Sequence, residues 1–164
     1  MKDLHPDEVE EGRLYMPPAQ YTLTDEQKRL FCLVLKGVRF PDGYAADIRH
    51  LVHVLEKKIV GLKSHDNHIL LQHLLPLAIR KILPERVCVA LPRVSNFFKQ
   101  ICSPTIRVSD MINLEVEIAE TLSILETIFV PSFFDVMVHL MVHLPAQVRI
   151  GGPVHFRSMW SVER

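Results

Sequence analysis

Apolar residues recur at helical spacing through most of the chain, most clearly between Asp110 and Phe129. There the apolar positions follow one another three or four residues apart: Met111, Leu114, Ile118, Leu122, Leu125 and Phe129. Four glutamates lie largely off this stripe and are typical of a solvated helix face: Glu115, Glu117, Glu120 and Glu126. The pattern predicts an amphipathic helix with Ser109 and Asp110 at its start.

The first helix is predicted over residues 25–36, before Gly37. Thr24, Asp25, Glu26 and Gln27 form a capping-box pattern, with acids in the first turn where the helix dipole favours them. One face of this helix collects apolar side chains: Leu30, Phe31, Val34 and Leu35.

The remaining helices are predicted between turn signals and prolines. A second helix over residues 45–56 would group four apolar residues: Ile48, Leu51, Val52 and Leu55. A third, over 65–83 after a Ser64 cap, should kink at Pro76, which lacks an amide hydrogen. A fourth, over 85–102, should be interrupted a second time at Pro92. A sixth begins at Pro131, ends before Pro145 and is apolar almost all round, so we expect it at the centre of the bundle.

These elements predict an all-α fold, a single irregular bundle of about six helices with extended N- and C-terminal arms. The first arm covers residues 1–23, where Pro17 and Pro18 disfavour helix. The helical domain covers residues 24–144. A C-terminal arm covers residues 145–164 and includes the turn-forming run Gly151, Gly152 and Pro153.

Composition, net charge and cysteine spacing favour some classes of protein over others. The chain has 164 residues, is 48% hydrophobic and carries no net charge, which favours a folded domain over disorder. Because its net charge is zero, the chain also lacks the basic excess of proteins that bind nucleic acid mainly through charge. Three widely spaced cysteines without a CxxC pair suit a reducing compartment, so the nucleus or cytoplasm is expected.

Histidines are the first candidates for chemistry. His139 and His143 stand four residues apart, a spacing that can hold one metal ion, and His65 or His68 of the third helix could approach them. However, Leu140 occupies the position where metalloprotease helices carry glutamate. Histidines on an apolar helix more often make hydrogen bonds within the protein. Structural packing is therefore favoured and no cofactor is expected, with a histidine metal site as the alternative.

Charged residues supply two further candidates. Lys57, Lys58 and Lys63 are the candidate nucleic-acid contacts, although a solvated basic face is the more ordinary interpretation. Asp66 and Asp135 each fall in the first turn of a predicted helix, where local capping explains a carboxylate.

Long stretches of the chain resemble one known family. They are VGLKSHDNHILLQHLLPLAIRKILP, PSFFDVMVHLMVHL, GGPVHFRSMWSVER and the N-terminal run YMPPAQYTLTDEQKRLFCLVLKGVRFPDGYAADIRHLV. Together they resemble the plant CACTA (En/Spm) transposon transposase family. The similar region is the domain of unknown function C-terminal to the transposase core, and the resemblance covers almost the whole chain.

The resemblance implies a parent enzyme that cuts and pastes DNA with a DDE-type, RNase H-like core and two divalent metals. It also implies that this chain is a helical insertion followed by the truncated start of the helix that carries the last catalytic acid. The family pattern RWMYPVER stands where this chain reads RSMWSVER, which makes Glu163 the candidate remnant of that acid. Ser158, Trp160 and Ser161 depart from the pattern. Because a lone carboxylate cannot hold two metals, no enzymatic activity is expected.

The leading expectation is thus a transposon-derived, non-catalytic helical domain that acts in protein association. Its expected partner is itself or a full-length transposase, without a membrane or small-molecule partner. A nucleic-acid-binding module of a DNA transposase and a histidine-based metal-binding domain are the alternatives. The nucleus is implied by the resemblance alone.

Overall fold

Helices dominate the computed structural model, which describes residues 7–9, 13–15, 18–41 and 47–157. The all-α fold class is confirmed. The helices are α1 (Asp25–Gly37), α2 (Ser64–Ile69), α3 (Leu75–Ile79), α4 (Glu85–Ile101), α5 (Val108–Glu126), α6 (Val136–Leu140), α7 (Leu144–Gly151) and α8 (Val154–Arg157). Short antiparallel pairs join β1 (Asp7–Val9) to β2 (Arg13–Tyr15) and β3 (Val52–His53) to β4 (Lys58–Ile59).

Helix α1 begins as the sequence predicts. The Thr24 amide donates to Gln27 Oε1 at 2.8 Å, and the Gln27 amide donates to Thr24 Oγ1 at 3.3 Å, which completes the capping box. Its predicted apolar face is only partly correct, because Leu35 is buried whereas Leu30 and Val34 are exposed. The helix packs at the margin of the fold, so only a narrow strip faces the core.

The predicted second helix over residues 45–56 is wrong. Residues 42–46 lie outside the described part of the chain, Ile48–Leu51 form one 3-10 turn, and β3 and β4 follow as a hairpin. Apolar residues at this spacing fit one helix face, but the β-branched side chains around Val52 and Ile59 favour strands. Ile48 and Val52 are buried as expected, whereas Leu55 sits in the hairpin turn with 92% exposure.

The predicted distortion at Pro76 appears as a widened helical turn. Leu70–Leu74 form a π-helical segment between α2 and α3, and the Leu75 amide donates to the Leu70 carbonyl, five residues back. Because Pro76 has no amide hydrogen for the preceding turn, the helix changes its hydrogen-bond register there. The helix then ends at Ile79, earlier than predicted, and Ser64 is the first residue of α2 instead of its cap.

Helices α4 and α5 lie where the sequence predicts them. Helix α4 runs through Pro92 without a break, so the predicted interruption there is wrong. Helix α5 begins at Val108, so Ser109 and Asp110 lie in its first turn instead of capping it. The five stripe residues within the helix are all buried: Met111, Leu114, Ile118, Leu122 and Leu125. Phe129 follows the end of the helix.

The predicted sixth helix at the centre of the bundle is wrong. Pro131–Phe133 form a 3-10 turn, α6 covers one turn, and Pro145 lies in the first turn of α7 instead of ending a helix. Proline is tolerated there because amides of the first turn have no intrahelical partner. Helices α4 and α5 pack against one another at the centre instead, with α3 against α4 and α7 against both. Residues 145–151, which the sequence placed in an arm, therefore form a helix on α5.

The buried side chains form two clusters. The N-terminal cluster consists of Cys32, Leu35, Ile48, Val52, Ile69, Leu74 and Ala78. The C-terminal cluster consists of Val87, Ala90, Phe97, Ile101, Met111, Leu114, Ile118, Leu122, Leu125, Ile128, Met141 and Val148. Packing of α3 against α4 joins the two. Within the described ranges, every helix is too short or too polar to cross a membrane.

Candidate association surface

Helix α6 begins at a local side-chain cap. The Asp135 Oδ1 atom accepts from the Met137 amide at 2.9 Å and the Val138 amide at 3.0 Å, which satisfies two of the free amides at the start of the helix. The capping role expected for Asp135 is confirmed. A new helix therefore begins after the 3-10 turn. Its outward side chains differ from those expected for the one continuous helix that the sequence predicted.

Three of the outward side chains of α6 are apolar. Val136 is 66% exposed, Met137 is 67% exposed and Leu140 is 39% exposed. We call these three residues the α6 surface. Burial of a side chain of this size is favourable by roughly 1.5–3 kcal/mol, and contiguous exposed apolar groups commonly mark interaction sites. The sequence predicted burial for this segment, so its exposure is a finding of the structure.

A stack of aromatic rings supports the segment before α6. Tyr21 stacks on Phe129 with ring centroids 4.5 Å apart, and Phe129 stacks on Phe133 at 4.5 Å. Phe134 meets Phe133 edge to face at 5.3 Å. These contacts hold the start of the segment against the end of α5 and the residues before α1.

His139 and His143 lie beside the α6 surface and form a close pair. Their Nε2 atoms are 3.4 Å apart, and the rings meet edge to face with centroids 5.2 Å apart. Both side chains are exposed. The spacing of four residues thus brings two imidazoles together, as the sequence indicated. Their exposure differs from the packing role that the sequence favoured.

His65 and His68 occupy α2, beside the N-terminal cluster. Burial lowers the pKa of His68, and the nearby His65 lowers it further. Among the side chains that the structure describes, no group of three or more His, Cys, Asp or Glu residues could hold a metal ion. The four candidate histidines therefore do not form one ligand set within the described residues.

The candidate nucleic-acid lysines are largely matched by acids. Lys57 Nζ lies 2.5 Å from Asp25 Oδ2, and Lys58 forms an ion pair with Glu56. These contacts lower the pKa of both carboxyl groups through the lysine hydrogen bond and its charge. Lys63 is exposed, and its backbone amide donates to Asp66. Paired lysines present less net positive charge to a phosphate backbone than free ones.

The acids of α5 form a solvated face, as predicted. Glu115 lies 3.6 Å from Arg149, and Glu120 lies 3.9 Å from Arg93. The other two glutamates of this helix are exposed. Asp66 confirms its predicted capping role, because its Oδ2 atom accepts from the Lys63 amide at 3.0 Å.

A second apolar stripe on α5 escaped the sequence analysis. Val108, Ile112 and Val116 recur every four residues, and all three are exposed. The signal was present in this spacing, but the stronger stripe of buried residues on the same helix concealed it. A cleft of about 250 Å³ lies beside the start of α5, with Lys99, Arg107, Ile106 and Met111 among the residues that line it.

Glu163, the candidate remnant of a catalytic acid, lies outside the described residues.

Comparison with known proteins gives a match to the C-terminal part of the chain. Neither a curated protein nor a solved structure matches the chain. Residues 101–164, which include α5, α6, α7 and α8, match a family model described as Domain of unknown function (DUF4218).

Proposed function

We propose that this chain is a non-catalytic helical domain derived from a plant CACTA-type transposase, and that it acts in the nucleus through protein association. The single observation that carries the association is the α6 surface. Val136, Met137 and Leu140 are exposed on a helix whose start is capped by Asp135. Contact with a partner would remove these side chains from water.

The partner that we propose is a second copy of the same domain, either free or within a full-length transposase. Helix α6 consists of four apolar residues and one histidine, with no carboxylate or ammonium group among them. Two copies can therefore approach through this helix without like-charge repulsion between its side chains. A symmetric dimer needs only one self-complementary patch.

The placement of the acids supports a non-catalytic role. A two-metal phosphotransfer centre needs carboxylates gathered from several elements around the ions. The glutamates of α5 are instead spread along one helix, and Glu115 and Glu120 face arginines. Asp66 and Asp135 accept from backbone amides at helix starts. Asp66, Asp135, Glu115 and Glu120 thus each face an amide or an arginine of the protein.

Sedimentation velocity tests the proposal. In buffer containing EDTA, the wild-type chain should associate with rising protein concentration, and Met137→Lys should weaken this association because a charge would be buried in the contact. Leu55→Lys is the matched control, since it places the same charge at an exposed leucine in the β3–β4 turn. A wild-type chain that stays monomeric at every concentration, or an effect of equal size in both variants, would contradict the proposal.

A further inference from the structure

His139 of α6 and His143, three residues after the end of that helix, have the nitrogen separation of two ligands on one metal ion. Tetrahedral zinc binds imidazole nitrogen at about 2.0–2.1 Å, which places two such ligands about 3.3–3.4 Å apart. The Nε2 atoms of His139 and His143 are 3.4 Å apart. No rotation of either side chain is needed to bring both nitrogens to that separation.

One copy of the chain leaves such a site incomplete. Tetrahedral zinc takes four ligands in structural sites, and the pair supplies two. Within the described side chains, no third ligand joins His139 and His143. The remaining positions of an ion held here would point outward, because both histidines are exposed.

We propose that His139 and His143 form half of a zinc site that a second copy of this chain completes with the same two residues. The inference rests on the proposed association at the α6 surface and adds the ion that bridges it. Two-fold pairing of α6 with its copy brings two histidine pairs together, which gives four nitrogen ligands around one ion.

The apolar contact and the ion reinforce one another. The α6 surface consists of Val136, Met137 and Leu140, which is small for a stable dimer, since specific interfaces usually bury about 800 Å² on each partner. A bridging ion adds ligand bonds without requiring a larger contact area. Zinc should thus convert weak self-association into a defined dimer. Neutral imidazole binds zinc, so the N–H protons would be held at Nδ1.

The experiment titrates the full metal-free chain with zinc chloride and follows binding by calorimetry and mass by sedimentation velocity. We expect one zinc ion per two chains together with a dimer. His139→Gln and His143→Gln should each weaken zinc binding by at least about tenfold, since even loss of a residue that supports a metal ligand costs that much. His53→Gln, an exposed histidine on β3, is the control and should bind like the wild type.

Three results would overturn the inference: no zinc binding, one zinc ion per chain without a change in mass, or zinc binding unchanged in both glutamine variants. Failure of the inference is distinct from failure of the proposed function. Association in EDTA that depends on Met137 but ignores zinc would leave the α6 contact standing and remove the ion. Circular dichroism of each variant confirms that the fold is intact before the metal titration.

Discussion

The Gln27 side chain joins the start of α1 to the turn between α3 and α4. Its Nε2 atom donates to the Ile82 carbonyl at 2.6 Å, while its Oε1 atom accepts from the Thr24 amide at 2.8 Å. One amide group thus caps its own helix and binds a backbone oxygen that is 55 residues away in sequence.

Replacement of Gln27 by glutamate separates these two roles. Glutamate keeps the acceptor for the Thr24 amide, but it loses the donor and turns a carboxylate toward the Ile82 carbonyl. We expect the free energy of unfolding to fall by about 1–3 kcal/mol in urea titrations at neutral pH. Acidification should recover part of this loss, because a protonated carboxyl can donate again. Glu26→Gln, one residue earlier on α1, is the control and should change stability little.

Opposite faces of α5 give a direct test of the core. Ile118 is 1% exposed and Val116 is 59% exposed. Ile118→Ala should lower the free energy of unfolding by about 2–5 kcal/mol, since it leaves a cavity in the C-terminal cluster. Val116→Ala should change it by less than about 0.5 kcal/mol. Chemical denaturation measures the free energy of unfolding of both variants. Equal losses of this free energy would contradict the orientation of the helix.

Asp47 should titrate well below an ordinary aspartate. Its carboxylate accepts from the Arg49 side chain at 2.6 and 2.7 Å and from the Arg49 amide at 3.0 Å, and these contacts lower its pKa from 3.8 to about 2. The stability from this pairing is present above pH 3.8 and is lost as pH falls toward 2. NMR titration of the carboxyl carbon measures it. Arg49→Gln should raise the Asp47 pKa, whereas Arg39→Gln should not.

Stability should also fall when the solution becomes mildly acidic. Burial lowers the pKa of His68 and His73, and the charge of Lys99 lowers that of His73 further. Both groups are more basic in the unfolded chain, so stability is complete above their ordinary pKa of 6.5 and declines as pH falls below it.

Urea titrations between about pH 8 and pH 5 measure this decline. His73→Gln should make stability depend less steeply on pH. His50→Gln, which replaces an exposed histidine, should keep the wild-type slope. A wild-type stability that stays constant across this range would show that neither histidine loses protons on folding.

The sequence correctly predicted the helices that carry a capping motif or a regular apolar stripe. The capping box of Thr24 and Gln27 fixed the start of α1, and the stripe through Ile118 identified α5 and its buried face. The β3–β4 hairpin could not be predicted from spacing alone, because the positions of Ile48 and Val52 fit one helix face equally well. Only tertiary packing selects between the two backbone conformations.

The candidate site was predicted in part. The interval between His139 and His143 correctly indicated adjacent imidazoles. Their exposure could not be predicted, because a run that is apolar almost all round resembles a buried helix. The cap at Asp135 and the helix start at Pro145 divide that run into two short helices, and this division turns Val136 and Met137 outward.

The division of the buried side chains has a consequence for local opening. Among the described residues, the N-terminal cluster has seven buried members and the C-terminal cluster has twelve. A smaller cluster loses less apolar burial when it opens, so amide protons of α1 should exchange with solvent sooner than those of α5. A protease that cuts the transiently open chain would then attack near α1 first and leave the segment from α4 through α7 as its resistant fragment.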